Sequence, residues 1–164
     1  MMFNIPIPGG TSGHALGVAL ISILFGPWIG FLSISLVLFI QAIIFGDGGL
    51  TSFAANAIGM GACGAFSSYF LYNKIKSYKY APFFAGWISA IIASVFIAFI
   101  LGIEPSIAMD TNGKPLYFPF GLDITIPAIV GSHILFFGVI EGIFTQLTFK
   151  FLQKIEPESI KGIV

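Results

Sequence analysis

Acidic and basic residues are confined to a few short stretches of the chain, and the runs between them are almost wholly apolar. Asp47 is the first acid or base; before it only His14 titrates near neutrality. A second uncharged run covers Gly48 to Asn73, and a third Tyr80 to Ile103. A fourth, Ile124 to Phe149, carries only His133 and Glu141. A helix needs about 20 predominantly apolar residues to cross roughly 30 Å of hydrocarbon. Lipid offers the backbone no hydrogen-bond partner, so such runs predict helices. The period-two alternation of a membrane barrel strand is absent.

Five segments follow: His14 to Phe25, Pro27 to Phe45, Ser52 to Tyr72, Pro82 to Leu101 and Ile124 to Gln153. Pro27 disfavours helix in the residue before it and can open the next one, so Gly26-Pro27 separates the first two. Gly46-Asp47-Gly48-Gly49 reads as a turn, with Thr51 or Ser52 as the N-cap of the third segment. The first segment is too short to span alone. It must be shielded by protein, or be a half-helix beside a cavity. The expected fold is an all-α, multi-pass transmembrane bundle forming one domain over residues 1–164.

Composition strengthens this reading. The chain is 57% hydrophobic and 9% charged, against about 25% charged in soluble domains. Seven basic and seven acidic residues cannot cover a water-soluble globule of 164 residues. A zero formal charge without a basic patch excludes nucleic acid as a partner. A single cysteine, Cys63, excludes an internal disulfide framework and CxxC chemistry. Twenty glycines suit closely packed helices. The four-residue spacings Gly13/Gly17, Gly26/Gly30 and Gly138/Gly142 are of the small-xxx-small kind.

Lysine placement sets an expected orientation. Lys74, Lys76 and Lys79 cluster after segment three, and Lys150, Lys154 and Lys161 at the carboxyl end. Positive charge favours the cytoplasm. The loop from Gly102 to Asp123 then faces outside, as does the His14 loop, and the carboxyl terminus is cytoplasmic. No Walker A, GxSxG or dinucleotide motif is present, so any ATP-driven work needs a partner.

Ionisable groups within apolar helices are functional candidates. His14 closes the run Pro8-Gly9-Gly10-Thr11-Ser12-Gly13-His14. It reads either as a metal ligand, neutral because the following helix N-terminus disfavours imidazolium, or as a structural histidine bonded to a loop carbonyl. His133 and Glu141 stand eight positions apart on segment five, about 80° apart around the helix axis. They read either as a polar network lining a substrate path or as a hydrogen-bonded pair fixing helix packing. Asn56 is a further member of this polar set, or with Gln41 a helix–helix contact. The spacing is not HExxH, which leaves an intramembrane zinc protease without support.

The stretch from Phe3 to Gly17, with Leu24-Phe25-Gly26-Pro27-Trp28, Gln41 to Leu50 and Gly59-Met60-Gly61, resembles the CbiM/NikM family. Looser likeness continues through Gly131-Ser132-His133 and Glu141-Gly142. These are substrate-capture components of cobalt and nickel energy-coupling-factor transporters. The resemblance implies a cell-membrane protein that binds Co²⁺ or Ni²⁺ on its outer side, with no permanent cofactor. It implies as partners a coupling transmembrane protein, cytoplasmic ATPase subunits and a small accessory membrane subunit. Cobalt taken up in this family feeds cobalamin synthesis. The chain itself would not be an enzyme.

In the family the ion is held by the amino-terminal amine, the amide and imidazole of a second-position histidine, and the histidine of the glycine-rich loop. The last maps onto His14. Position 2 is Met2, so the other ligands are absent, and the chain reads as the carboxyl-terminal major part of a longer protein. The alternative function is a non-transporting membrane scaffold or assembly subunit in which His14 is structural.

Overall fold

The computed structural model describes residues 5–7, 11–46 and 48–156. Two short strands, β1 (Ile5–Ile7) and β2 (Thr11–Gly13), form an antiparallel hairpin with Ile5 opposite Gly13 and Ile7 opposite Thr11. Five helices follow: α1 (Val18–Phe25), α2 (Pro27–Ile44), α3 (residues 53–75), α4 (Ala81–Ile107) and α5 (Leu122–Ile155). α3 is continuous but π-helical over Ala57–Cys63, and α5 is π-helical over Ile126–Val130 and His133–Phe137. The chain is an all-α membrane bundle, as its charge pattern predicts, with one small hairpin packed into it.

Three helices, α2, α4 and α5, are long and apolar enough to cross a membrane. The distribution of polarity inside them is the stronger argument. The buried set includes Ser68, Ser89, Ser94, Thr125, Glu141, Thr145 and Gln146, whereas Leu32, Leu36, Ile43, Leu135, Leu147 and Phe151 face outward. Water would drive the reverse arrangement; hydrocarbon tolerates apolar side chains outside and requires polar groups to find partners within.

α1 is the half-helix that its length predicts. Its 8 residues rise about 12 Å, less than half a bilayer core. Its carboxyl end packs Ile23 against Tyr72, Ala81, Ala85 and Phe149, beside the α3–α4 turn. Its amino end lies well inside the bundle, where Val18 packs against Ile34, Leu38 and Ala65. The helix begins at Val18, not at His14. Gly17 adopts φ 72°, a left-handed conformation that only glycine takes without strain, and this stops the helix from extending backwards. Thr11 and Ser12, ahead of His14 in the glycine-rich run, belong to β2.

The expected boundary at Leu101 is also displaced. α4 continues to Ile107 because Gly102 packs against the start of α5, where an added Cβ would stand 2.9 Å from the Leu122 Cα. Pro105 removes a backbone donor only in the last turn, and the Glu104 carboxylate accepts from Phe118 N at 3.0 Å. Ser52 does occupy the N-cap position of α3, but its hydroxyl donates to the carbonyls of Gly48 and Gly49 rather than accepting from the helix. Asp47, in the expected turn, and Lys161 lie outside the described residues.

α4 and α5 form the tightest contact. Gly86 leaves little space for a side chain: a Cβ there would lie 3.1 Å from Glu141 O and from Gly142 Cα. A Cβ added at Gly142 would likewise lie 2.8 Å from Phe83 O. Gly138 faces Trp87 on the same side of α5, so the Gly138/Gly142 pair is a small-residue seam against α4. Gln146 then pins the far end: its Oε1 accepts from Phe83 N at 3.2 Å and its Nε2 donates to Lys79 O at 3.3 Å. Phe83 N is one of the first-turn amides that no helical carbonyl can reach.

Candidate functional site

About half-way along α4 and α5, a small cavity of about 40 Å³ opens where β2 and the segment leading into α1 meet α3, α4 and α5. One water needs about 10–15 Å³ of such space, so the cavity has room for an ion or a few waters. His14, His133 and Glu141 all line it, together with Ser12, Ser94 and Met60. The three ionisable groups singled out by the sequence are thus brought to one place, although the chain separates His14 from Glu141 by most of its length.

Each is positioned by a different device. His14 follows β2 directly, in the non-helical segment that ends at Gly17. Gly13 just before it lies so close to the ring of Phe137 that a Cβ could not be accommodated, which seats the hairpin on α5. Glu141 is 2% exposed, and its Oε2 accepts from Leu16 N at 2.8 Å and from Gly17 N at 3.0 Å. These donors sit at the start of α1, where the helix dipole favours negative charge. The carboxyl group therefore ties the His14 segment to α5. Its Oε1 has no hydrogen-bond partner among the described residues.

His133 lies in a π-helical turn, and its Nδ1 is 2.8 Å from the carbonyl oxygen of Ile129. A carbonyl can only accept, so Nδ1 carries a proton, and in the neutral ring Nε2 keeps its lone pair. Ser132 Oγ donates to the same carbonyl at 2.8 Å, and Trp87 Nε1 to Ile134 O at 3.0 Å. The wider turns of a π-helix re-aim side chains and carbonyls in this way, and such turns recur at functional sites.

Asn56 is not among the residues lining the cavity. Its amide donates to Gly48 O at 3.2 Å and so fastens the turn between α2 and α3. It is separated from His133 and Glu141, and the polar set expected from the sequence divides into an inner pair and this outer residue. Among the described residues, no three of His, Cys, Asp and Glu form a group that could hold a metal ion. His14 is the candidate ligand that these residues offer; Met2 lies outside them.

Sequence reasoning missed the wall contributed by α4. Ala90, Ala93, Ser94 and Ile97 line the cavity, and their i, i+3, i+4, i+7 spacing marks one helix face. That signal was present, but every face of α4 is apolar, so nothing distinguished this one. The backbone donors of Leu16 and Gly17 carry no sequence signal at all.

Comparison with known proteins agrees with this architecture. The family model described as "Cobalt uptake substrate-specific transmembrane region", CbiM, matches residues 1–159. LarMN of Lactiplantibacillus plantarum, named a probable fused nickel transport protein, is 39% identical over 163 residues, covering 98% of this chain and 50% of its own length. The fused nickel transport protein NikMN of Rhodobacter capsulatus is 37% identical over 166 residues, covering 96% of this chain and 48% of its own. The chain thus spans about half the length of these relatives. A crystal structure described as a transition metal transporter superposes with a TM-score of 0.91 at 39% identity, covering 98% of this chain and 72% of that one.

Proposed function

The chain belongs to the cobalt uptake substrate-specific transmembrane region family, CbiM, and from that premise we propose that it is the metal-capturing component of a transition-metal uptake system. His14 is the loop ligand that takes Co²⁺ or Ni²⁺ through its imidazole. The observation that carries this reading is the placement of His14 on a buried cavity, in a segment fastened to α5 by Glu141. Neutral imidazole suits both ions. The names of the two fused relatives, which refer to nickel, and of the family, which refers to cobalt, support a cargo of this class.

The His14 side faces the outside and the carboxyl end of α5 the cytoplasm. Lys74, Lys76, Lys79, Lys150 and Lys154 gather at the end of the bundle holding the α3–α4 turn and the end of α5, while Glu104, Asp110 and Asp123 gather at the opposite end. That asymmetry follows the positive-inside rule. The sequence has no phosphate-binding loop, so ATP hydrolysis in such a system lies outside these residues. Glu141 and His133 serve the site from behind: one fixes the loop, the other presents a lone pair to the cavity that the loop closes.

Cells producing the full chain with its transport partners, and limited for cobalt or nickel, test this assignment by uptake of the labelled ion. His14→Ala is expected to reduce uptake to the level of cells without the protein, with unchanged abundance in the membrane. Uptake that persists at the unsubstituted rate overturns the ligand role and favours the scaffold reading.

A further inference from the structure

A second hollow, of about 220 Å³, lies at the lysine-rich end of the bundle, between the α3–α4 turn and the last turns of α5. Its floor is Tyr72 and Phe149, both almost fully buried. Its rim carries Lys76, Lys79 and Lys150, with Gln153 beside them. Lys79 Nζ and Lys150 Nζ both stand over the ring of Tyr80, 5.5 and 5.8 Å from its centroid. Cations from the α3–α4 turn and from α5 therefore converge on one aromatic ring. No carboxylate lines the hollow among the described residues.

We propose that this hollow binds the headgroup of an anionic phospholipid. Three features favour a lipid over a soluble anion. The hollow sits where membrane-crossing helices end, at the level of Tyr78 and Tyr80, and aromatic residues of this kind mark the lipid–water boundary. Basic pockets between helices at that depth recognise acidic headgroups. Directly alongside Lys150 on α5, Leu147 and Phe151 are exposed and apolar, a surface along which an acyl chain can lie. The volume exceeds that of several waters at about 30 Å³ each, which admits a phosphodiester. The proposal rests on neither the metal reading nor the orientation of the bundle.

The full chain is reconstituted in bilayer discs of equal parts phosphatidylglycerol and phosphatidylcholine, then released and examined by native mass spectrometry for retained lipid. Phosphatidylglycerol is expected to be retained in preference. The pair Lys79→Gln with Lys150→Gln is expected to reduce that preference about 25-fold, at about fivefold per lysine. Lys79→Arg with Lys150→Arg is expected to keep it. Unchanged melting of the Gln pair verifies that folding is not the cause; should the pair fail to fold, the Arg pair and the wild-type lipid preference still decide. Equal retention of both lipids, or a preference that survives the Gln pair, overturns the proposal. So does displacement of the lipid by millimolar inorganic phosphate, which would make this a free-anion site. Loss of co-assembly with partner subunits in the Gln pair, with lipid preference intact, overturns it in favour of a protein contact.

Discussion

Replacing Glu141 with leucine tests the link between α5 and the His14 segment. Leucine is close to glutamate in volume and fills the same space, but it accepts no hydrogen bond. The amides of Leu16 and Gly17, now held at 2.8 and 3.0 Å by one carboxylate oxygen, would lose that acceptor at a part-buried position beside the cavity. An unsatisfied buried donor costs about 1–3 kcal/mol. Two donors therefore place about 2–6 kcal/mol on the anchored conformation, partly offset because a buried carboxyl group no longer has to be desolvated. A net loss of about 2 kcal/mol corresponds to about a 30-fold change in the population of the anchored segment. Calorimetric titration with Co²⁺ and with Ni²⁺ is expected to show weaker binding by up to that factor. Glu141→Gln keeps a carbonyl acceptor and should fall between the wild type and Glu141→Leu. Proteolysis near His14 should accelerate in the same order. If Glu141→Leu binds metal as tightly as the wild type and its His14 segment remains equally protected, the anchoring argument is refuted.

Two other expectations follow from local geometry. Gly142→Ala places a Cβ about 2.8 Å from Phe83 O, so α4 and α5 must move apart; overpacking of this kind costs about 1–3 kcal/mol, read as a lower melting temperature in detergent. At the far loop, the N–H of Lys114, and then that of Asn112, hold the Asp110 carboxyl below the ordinary carboxylate range. A lowered folded-state value means that the turn is supported above the unfolded-state pKa and loses that support as pH falls through the folded value. NMR titration of Asp110 should therefore give a midpoint below about 3.9, and a midpoint at or above it would contradict the two bonds.

The number and order of the helices were legible because long uncharged runs have one outcome in lipid. The half-length of α1 was legible for the same reason: Gly26-Pro27 truncates a run that is already short. The chain's glycines were less informative. Gly102 looks like a helix stop beside Glu104 and Pro105, yet it is a packing position against Leu122, and α4 continues past it. The converse holds for His14, which looks like the first residue of a helix whose true start is fixed by the backbone of Gly17. Neither outcome can be read from residue type, because each depends on what a distant segment places beside the glycine.

The same dependence explains why the roles of the three ionisable groups stayed open in the sequence while their importance did not. A half-helix that begins inside a bundle exposes its first amides where lipid cannot satisfy them. Some side chain must reach that point, and it comes from another helix, because Gly17 at the N-cap position carries no side chain to do so. A carboxylate on α5 meets this need better than a neutral acceptor, since it also opposes the positive end of α1. Glu141 is thus required by the architecture before any cargo is considered. Yet the atoms it holds belong to the segment that carries His14, so a structural requirement and a positioning role coincide in one residue. A substitution that spared folding by satisfying the α1 amides from elsewhere, while freeing Glu141, would separate the two. Metal affinity, not thermal stability, would then report which role had been lost.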